Sequence, residues 1–119
     1  MQSYKDLEIY QSAHNLAIEI HSMTLKLPQF EIYEEGSQIR KSSKAVASNI
    51  VEGFGRKRYQ ADYVKFLVYA HGSCDETREH LELLFESGSL KDEKQHTYFM
   101  ENYEKLSRKI NKFLQAFKD

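Results

Sequence analysis

Apolar residues recur at three- and four-residue steps through four long stretches of this chain, and no stretch of any length alternates with period two. That periodicity draws a stripe along a helix and leaves nothing for a half-buried strand. The chain is therefore restricted to an all-α fold. Tyr10, Ala13, Ala17, Ile20 and Leu27, with Thr24 filling the gap, predict a first helix over about 5–27. Pro28 ends it, because proline lacks the amide donor and disfavours helix in the residue before it. Gln29 to Gly36 read as a connection with Phe30, Ile32 and Tyr33 tucked beneath it. Ile39, Val46 and Ile50 predict a second helix over about 37–53, with Ser37 as its N-cap and Gly53-Phe54-Gly55 as a left-handed stop. Tyr63, Phe66, Ala70, Cys74, Thr77, Leu81 and Leu84 give a third helix over about 59–87, closed by Gly88. Phe99, Tyr103, Leu106, Ile110, Phe113 and Phe117 give a fourth over about 91–117. Four helices joined mostly by short links pack best as an antiparallel, up-down-up-down four-helix bundle. At 119 residues the whole chain is expected to be one domain with its own core.

Two helices carry more apolar surface than one seam needs. Ile9, Leu16 and Met23 flank the first seam on one side, and Leu7, Ile18 and Leu25 on the other. The run from Tyr63 to Ala70 is apolar nearly all round. Such a surplus calls for a cover, either a second copy of the chain or the Gln29–Gly36 connection. The homo-oligomer reading places Ile9, Leu16, Met23, Val64 and Val68 in the subunit interface.

The net charge is −1, which by itself marks neither a nucleic-acid binder nor a membrane binder. Its distribution is uneven. Residues 38–65 carry seven Lys/Arg against two Asp/Glu, whereas residues 1–37 carry two against six and residues 66–119 eight against ten. Arg40, Lys41 and Lys44 on the second helix and Arg56, Lys57 and Arg58 beyond it form the candidate binding patch, with Tyr59 and Tyr63 near enough to stack on bases. The competing reading is a solvated face paired with Glu31, Glu34 and Glu35. Lys105, Arg108, Lys109, Lys112 and Lys118 make a weaker basic set on the fourth helix.

Catalytic and metal-binding patterns are thin. Glu93 and His96 form one Glu-x-x-His, where a di-iron bundle needs two such pairs and two further carboxylates, so no metal and no cofactor is expected. Glu76 and His80 share a helix face and read as a hydrogen-bonded pair, because no nucleophile accompanies them. No Arg is followed by a His after four to six intervening residues, which lowers a ribonuclease reading. Cys74 is the only cysteine and lies on a seam, so it reads as a small buried hydrophobe. Gln38, Asn49, Glu52, Ser73 and Glu76 lie on or near the inner faces of the second and third helices and read as a polar network fixing their register. The N-terminal residues have no signal-peptide core and no run is long enough to span a bilayer, so a cytoplasmic protein without membrane contact is expected.

Several of these residues carry a resemblance. The stretch Gln38-Ile39-Arg40-Lys41 … Asn49-Ile50-Val51-Glu52-Gly53 resembles the Gln-x-Arg-Arg … Asn-Ile-Ala-Glu-Gly motif of the 23S rRNA intervening-sequence protein family, also called the four helix bundle protein family. Pro28 with Glu31, and Phe66-Leu67 … Ala70-His71-Gly72-Ser73 … Glu76, match its other signatures. Departures fall at Ser42, Ser43 and Lys44, at Ala47 in place of a frequent Pro, and at Val51 in place of a frequent Ala. The resemblance implies a five-membered ring of bundles with no enzymatic activity. Some members are encoded within insertions in 23S rRNA genes, which suggests ribosomal RNA as a partner. A related accessory protein of diversity-generating retroelements binds nucleic acid and a reverse transcriptase. The expected function is thus a non-enzymatic oligomer that binds RNA or single-stranded DNA, the alternative being a scaffold for another protein.

Overall fold

The computed structural model describes residues 3–118. A 3-10 turn, Tyr4–Asp6, leads into α1 (Glu8–Thr24), a single turn α2 (Gln29–Ile32), α3 (Glu35–Gly55), α4 (Gln60–Glu86) and α5 (Glu93–Gln115). The four long helices form the expected antiparallel bundle, 45 × 21 × 20 Å. Its length is set by α4, whose 27 residues span about 40 Å at 1.5 Å per residue. Around the bundle α1 lies beside α3, α3 beside α4 and α4 beside α5, while α1 and α5 close the circuit more loosely.

The helix ends explain these boundaries. Ser3 Oγ accepts from the Lys5 amide at 3.1 Å, and Asp6 accepts from the Ser3 amide at 3.2 Å, so the first turn is capped. α1 stops at Thr24, whose hydroxyl bonds back to the His21 carbonyl at 2.8 Å. Pro28 then begins a helical turn, its carbonyl accepting from Glu31 and Ile32. What the sequence presents as a loop is therefore mostly helix. Phe30 and Tyr33 are not tucked beneath it but stand exposed, and only Ile32 packs on the core. α3 begins at Glu35, not at Ser37, because the Glu31 carboxylate takes the Glu35 amide at 3.1 Å. Asp92 caps α5, accepting from the amides of Lys94 and Gln95. Gly88, at φ +85°, closes α4 as expected. Gly53 does not stop α3, since α3 passes through it to Gly55 with no left-handed residue.

Ile20, Ile39, Val46, Ile50, Leu67, Leu81, Leu84 and Ile110 are fully buried at the centre. Each such side chain contributes roughly 1.5–3 kcal/mol through burial. Between α3 and α4 a small polar layer interrupts this core. Ser42 Oγ lies 2.8 Å from Thr77 Oγ1, and the Thr77 hydroxyl lies 2.8 Å from the Ser73 carbonyl. This pair fixes the α3–α4 register. Of the expected network only Ser73 is buried. Gln38, Glu52 and Glu76 are exposed and Asn49 is half-buried, because they project one helical step away from the contact line that Ser42 and Thr77 occupy.

Candidate nucleic-acid interface

Arg40 is part of a corner at the α2 end of the bundle, not a free phosphate ligand. Its guanidinium donates to Thr24 Oγ1 at 2.9 Å and to the Ile32 carbonyl at 2.8 Å, tying α1, α2 and α3 together. Glu31 is buried beside it and accepts from the Ser89 hydroxyl of the α4–α5 link. Glu35 pairs with His80 of α4. That takes His80 away from Glu76, its expected partner. Gly36 fits this corner because a Cβ there would stand 2.7 Å from the Glu31 carbonyl oxygen. His96 bonds Glu82 at 2.6 Å and stacks on Phe85 with centroids 4.1 Å apart, so it is not paired with Glu93. Among the described residues no group of three or more His, Cys, Asp or Glu is placed to hold a metal ion.

Lys41 and Lys44 are exposed on the shaft of α3, Lys44 beside a groove against α1. Arg56 lies about 18 Å further along the axis, twelve residues at 1.5 Å each. The six basic residues expected to form one patch are therefore divided among a corner, a shaft and an end.

The end is the more concentrated site. Arg56 pairs with Glu52 one turn back and stands over the Phe66 ring at 5.0 Å. Lys65 approaches the same ring at 5.3 Å, and Lys57 stands 4.2 Å over Phe54. Tyr69 meets Phe66 edge-on at 5.8 Å. Tyr59 and Arg58 are exposed next to them, whereas Tyr63 is buried against Phe113 and Phe117. Burial raises the Tyr63 phenol above its usual range. The antiparallel return of α5 brings a second basic group to this end. There Lys109 pairs with Glu8 and holds that carboxyl below its usual range through a hydrogen bond and its charge. Lys65, Phe66 and Tyr69 join the site only in the folded chain. Their spacing on one face is readable in the sequence, but their closeness to Arg56 depends on how α3 packs against α4.

Dividing the long helices at their midpoints gives the charge pattern of the whole rod. The half holding the α3–α4 hairpin (residues 3–15, 46–72 and 105–118) carries ten Lys/Arg against four Asp/Glu, a net of +6. The other half (16–45 and 73–104) carries seven against thirteen, a net of −6. A near-neutral chain thus folds into a rod with a basic end and an acidic end.

The expected subunit interface needs correction. Ile9, Leu16 and Met23 are 5 %, 5 % and 3 % exposed and belong to the monomer core. α1 rotates them inward with its seam. Val64 is half-buried and Val68 exposed. The apolar groups that α1 leaves outside are Ile18 and Leu25. Ile18 borders an open groove of ≈ 550 Å³ between α1 and α3, floored by Ala17, Ala47 and Val51. No helix among the described residues is long and apolar enough to cross a membrane.

Comparison with known proteins agrees with this architecture. The model of the 23S rRNA-intervening sequence protein family matches residues 5–112. No curated protein matches the sequence. A solved structure of a protein of unknown function from the S23 ribosomal protein family of Bacteroides thetaiotaomicron superposes with a TM-score of 0.80. It is 18 % identical, over 90 % of this chain and 95 % of that one.

Proposed function

Because the chain belongs to the 23S rRNA-intervening sequence protein family, we propose that it works by binding, without catalysis, and that its basic end is a nucleic-acid site. The observation that carries the reading is the segregation of charge into a +6 half and a −6 half. At physiological salt the screening length is about 8 Å. A polyanion at one end of a 45 Å rod therefore responds to that end alone. Ribosomal RNA is the partner the family's name suggests. Arg56, Lys57, Arg58 and Lys65 make the primary contacts, the lysines of α5 add to them, and Arg40 is excluded.

The test reverses charge at one end at a time. Lys57→Glu, Arg58→Glu and Lys65→Glu together are expected to abolish binding to RNA, while Glu79→Lys, Glu86→Lys and Glu93→Lys together are not. Unchanged RNA binding in the first variant rejects the site. A partner retained from a native extract after nuclease treatment favours a protein scaffold instead.

Self-association is a second reading, supported by the apolar α1–α3 groove and by exposed Ile18 and Leu25. A groove of this kind on a small domain is a place for another chain. The five-membered ring implied by the family resemblance would weigh five times 14.0 kDa. Light scattering at micromolar concentration that returned 14.0 kDa would reject it.

A further inference from the structure

We propose that the basic end takes a single strand of nucleic acid in preference to a duplex, holding its bases against exposed aromatic rings as well as its phosphates against the cations. The proposal rests on the nucleic-acid reading above and specifies the ligand of that same site.

Between Arg56 and Tyr69 the chain carries four cations, one acid and four aromatic residues. Tyr63 belongs to the core. The other three rings are at the surface. Tyr59 is 62 % exposed, Tyr69 is 50 % exposed and Phe66 is half-buried. Arg56 and Lys65 are both within 5.3 Å of the Phe66 centroid, and Tyr69 touches that ring's edge. Arg56, Lys65, Phe66 and Tyr69 thus form one cluster of cations and rings where the end of α3 meets the first turns of α4, and exposed Tyr59 stands at the N-cap of α4. Tyr59 and Tyr69 are about 15 Å apart along α4, a span of a few extended nucleotides.

The two ligand forms use such a surface differently. A duplex presents phosphates outward and keeps its base faces stacked inside. It satisfies the cations and leaves the rings against polar backbone. A single strand offers phosphates and base faces together, and every base has a face to stack.

The test is fluorescence anisotropy at one fixed salt concentration. It compares labelled oligouridine, an abasic ribose-phosphate strand of equal length and an RNA duplex. Oligouridine is expected to bind more tightly than either competitor. Joint substitution Tyr59→Ala and Tyr69→Ala is expected to weaken oligouridine binding about 30-fold or more and to leave duplex binding unchanged, with Tyr→Phe at both positions retaining affinity. Both rings lie outside the core, so these variants keep the fold. Equal affinity for oligouridine and the abasic strand, or unchanged binding by the alanine variant, overturns the stacking proposal and leaves a phosphate-only site. Failure to bind any of the three ligands overturns the nucleic-acid reading as well.

Discussion

The Arg40 guanidinium donates to the Thr24 hydroxyl at 2.9 Å, and that hydroxyl is itself fully buried and committed to the His21 carbonyl. A cation that sequence position places in a binding patch is thereby built into the α1–α3 corner. Arg40→Ala removes hydrogen bonds to Thr24 and to Ile32 and leaves the Thr24 oxygen without its donor. It is expected to cost about 1.5–3 kcal/mol in urea unfolding and to leave RNA affinity unchanged. A loss of affinity at undiminished stability would return Arg40 to the binding site.

The Ser42–Thr77 pair predicts a coupling. Thr77→Val leaves the buried Ser42 hydroxyl with only the longer bond to the Ile39 carbonyl, at 3.3 Å, and is expected to destabilise the protein by about 1–2 kcal/mol. Ser42→Ala is expected to do the same to Thr77 to a lesser degree, since that hydroxyl keeps the Ser73 carbonyl. The double variant should cost less than the sum of the two, because the bond between the hydroxyls is then lost only once. Strict additivity in denaturant titrations would mean the pair does not set the register.

Two glycines should respond with opposite sign. Gly72 lies inside α4 with nothing within 4 Å of an added Cβ. Gly72→Ala should therefore stabilise by about 0.5–1 kcal/mol from helix propensity. At Gly53 an added Cβ meets Tyr63 Cδ1 at 3.1 Å and Phe66 Cβ at 3.2 Å. Phe66 Cβ is anchored to the α4 backbone and cannot swing away, so Gly53→Ala forces the helices apart and lowers the melting temperature. A rise in melting temperature for Gly53→Ala would show that α3 and α4 are packed less tightly than 3.2 Å implies.

Cys74 should be silent in the native state. Burial pushes its thiol up to about 12, so almost no thiolate exists near neutral pH. Iodoacetamide at pH 8 is expected to label it only after unfolding. The folded-state value lies above the unfolded one, so the thiol's contribution to stability is complete below about pH 8.5 and is lost as pH rises through the folded value. Rapid labelling of the native protein would contradict the buried placement.

The fold was legible because it rests on period. Seams such as Phe99, Tyr103, Leu106 and Ile110 are readable without knowing what they face, and the structure buries all of them. The site was less legible because it rests on rotation and on topology. A 100° step separates a core residue from an exposed one, so Ala17 lies in the core and Ile18 outside. Asn49 and Glu52 fell on the wrong side of the same boundary, as did Glu76 beside Thr77. The corner of Arg40, Glu31 and Ser89 joins residues up to 58 positions apart, and no local pattern records it. The two charged ends become visible only once α5 is folded back beside α1.

The central claim is that the Arg56–Lys65 end binds nucleic acid electrostatically, and its most direct test is the salt dependence of RNA binding. Anisotropy titrations of a labelled single-stranded RNA from about 50 to about 200 mM salt give the slope of log affinity against log salt. A steep fall is expected for the wild type. For Arg56→Glu, Lys57→Glu and Arg58→Glu combined the expected slope is shallower by about 2, at roughly 0.7 for each phosphate no longer neutralised. The same slope and affinity in both proteins would contradict the claim.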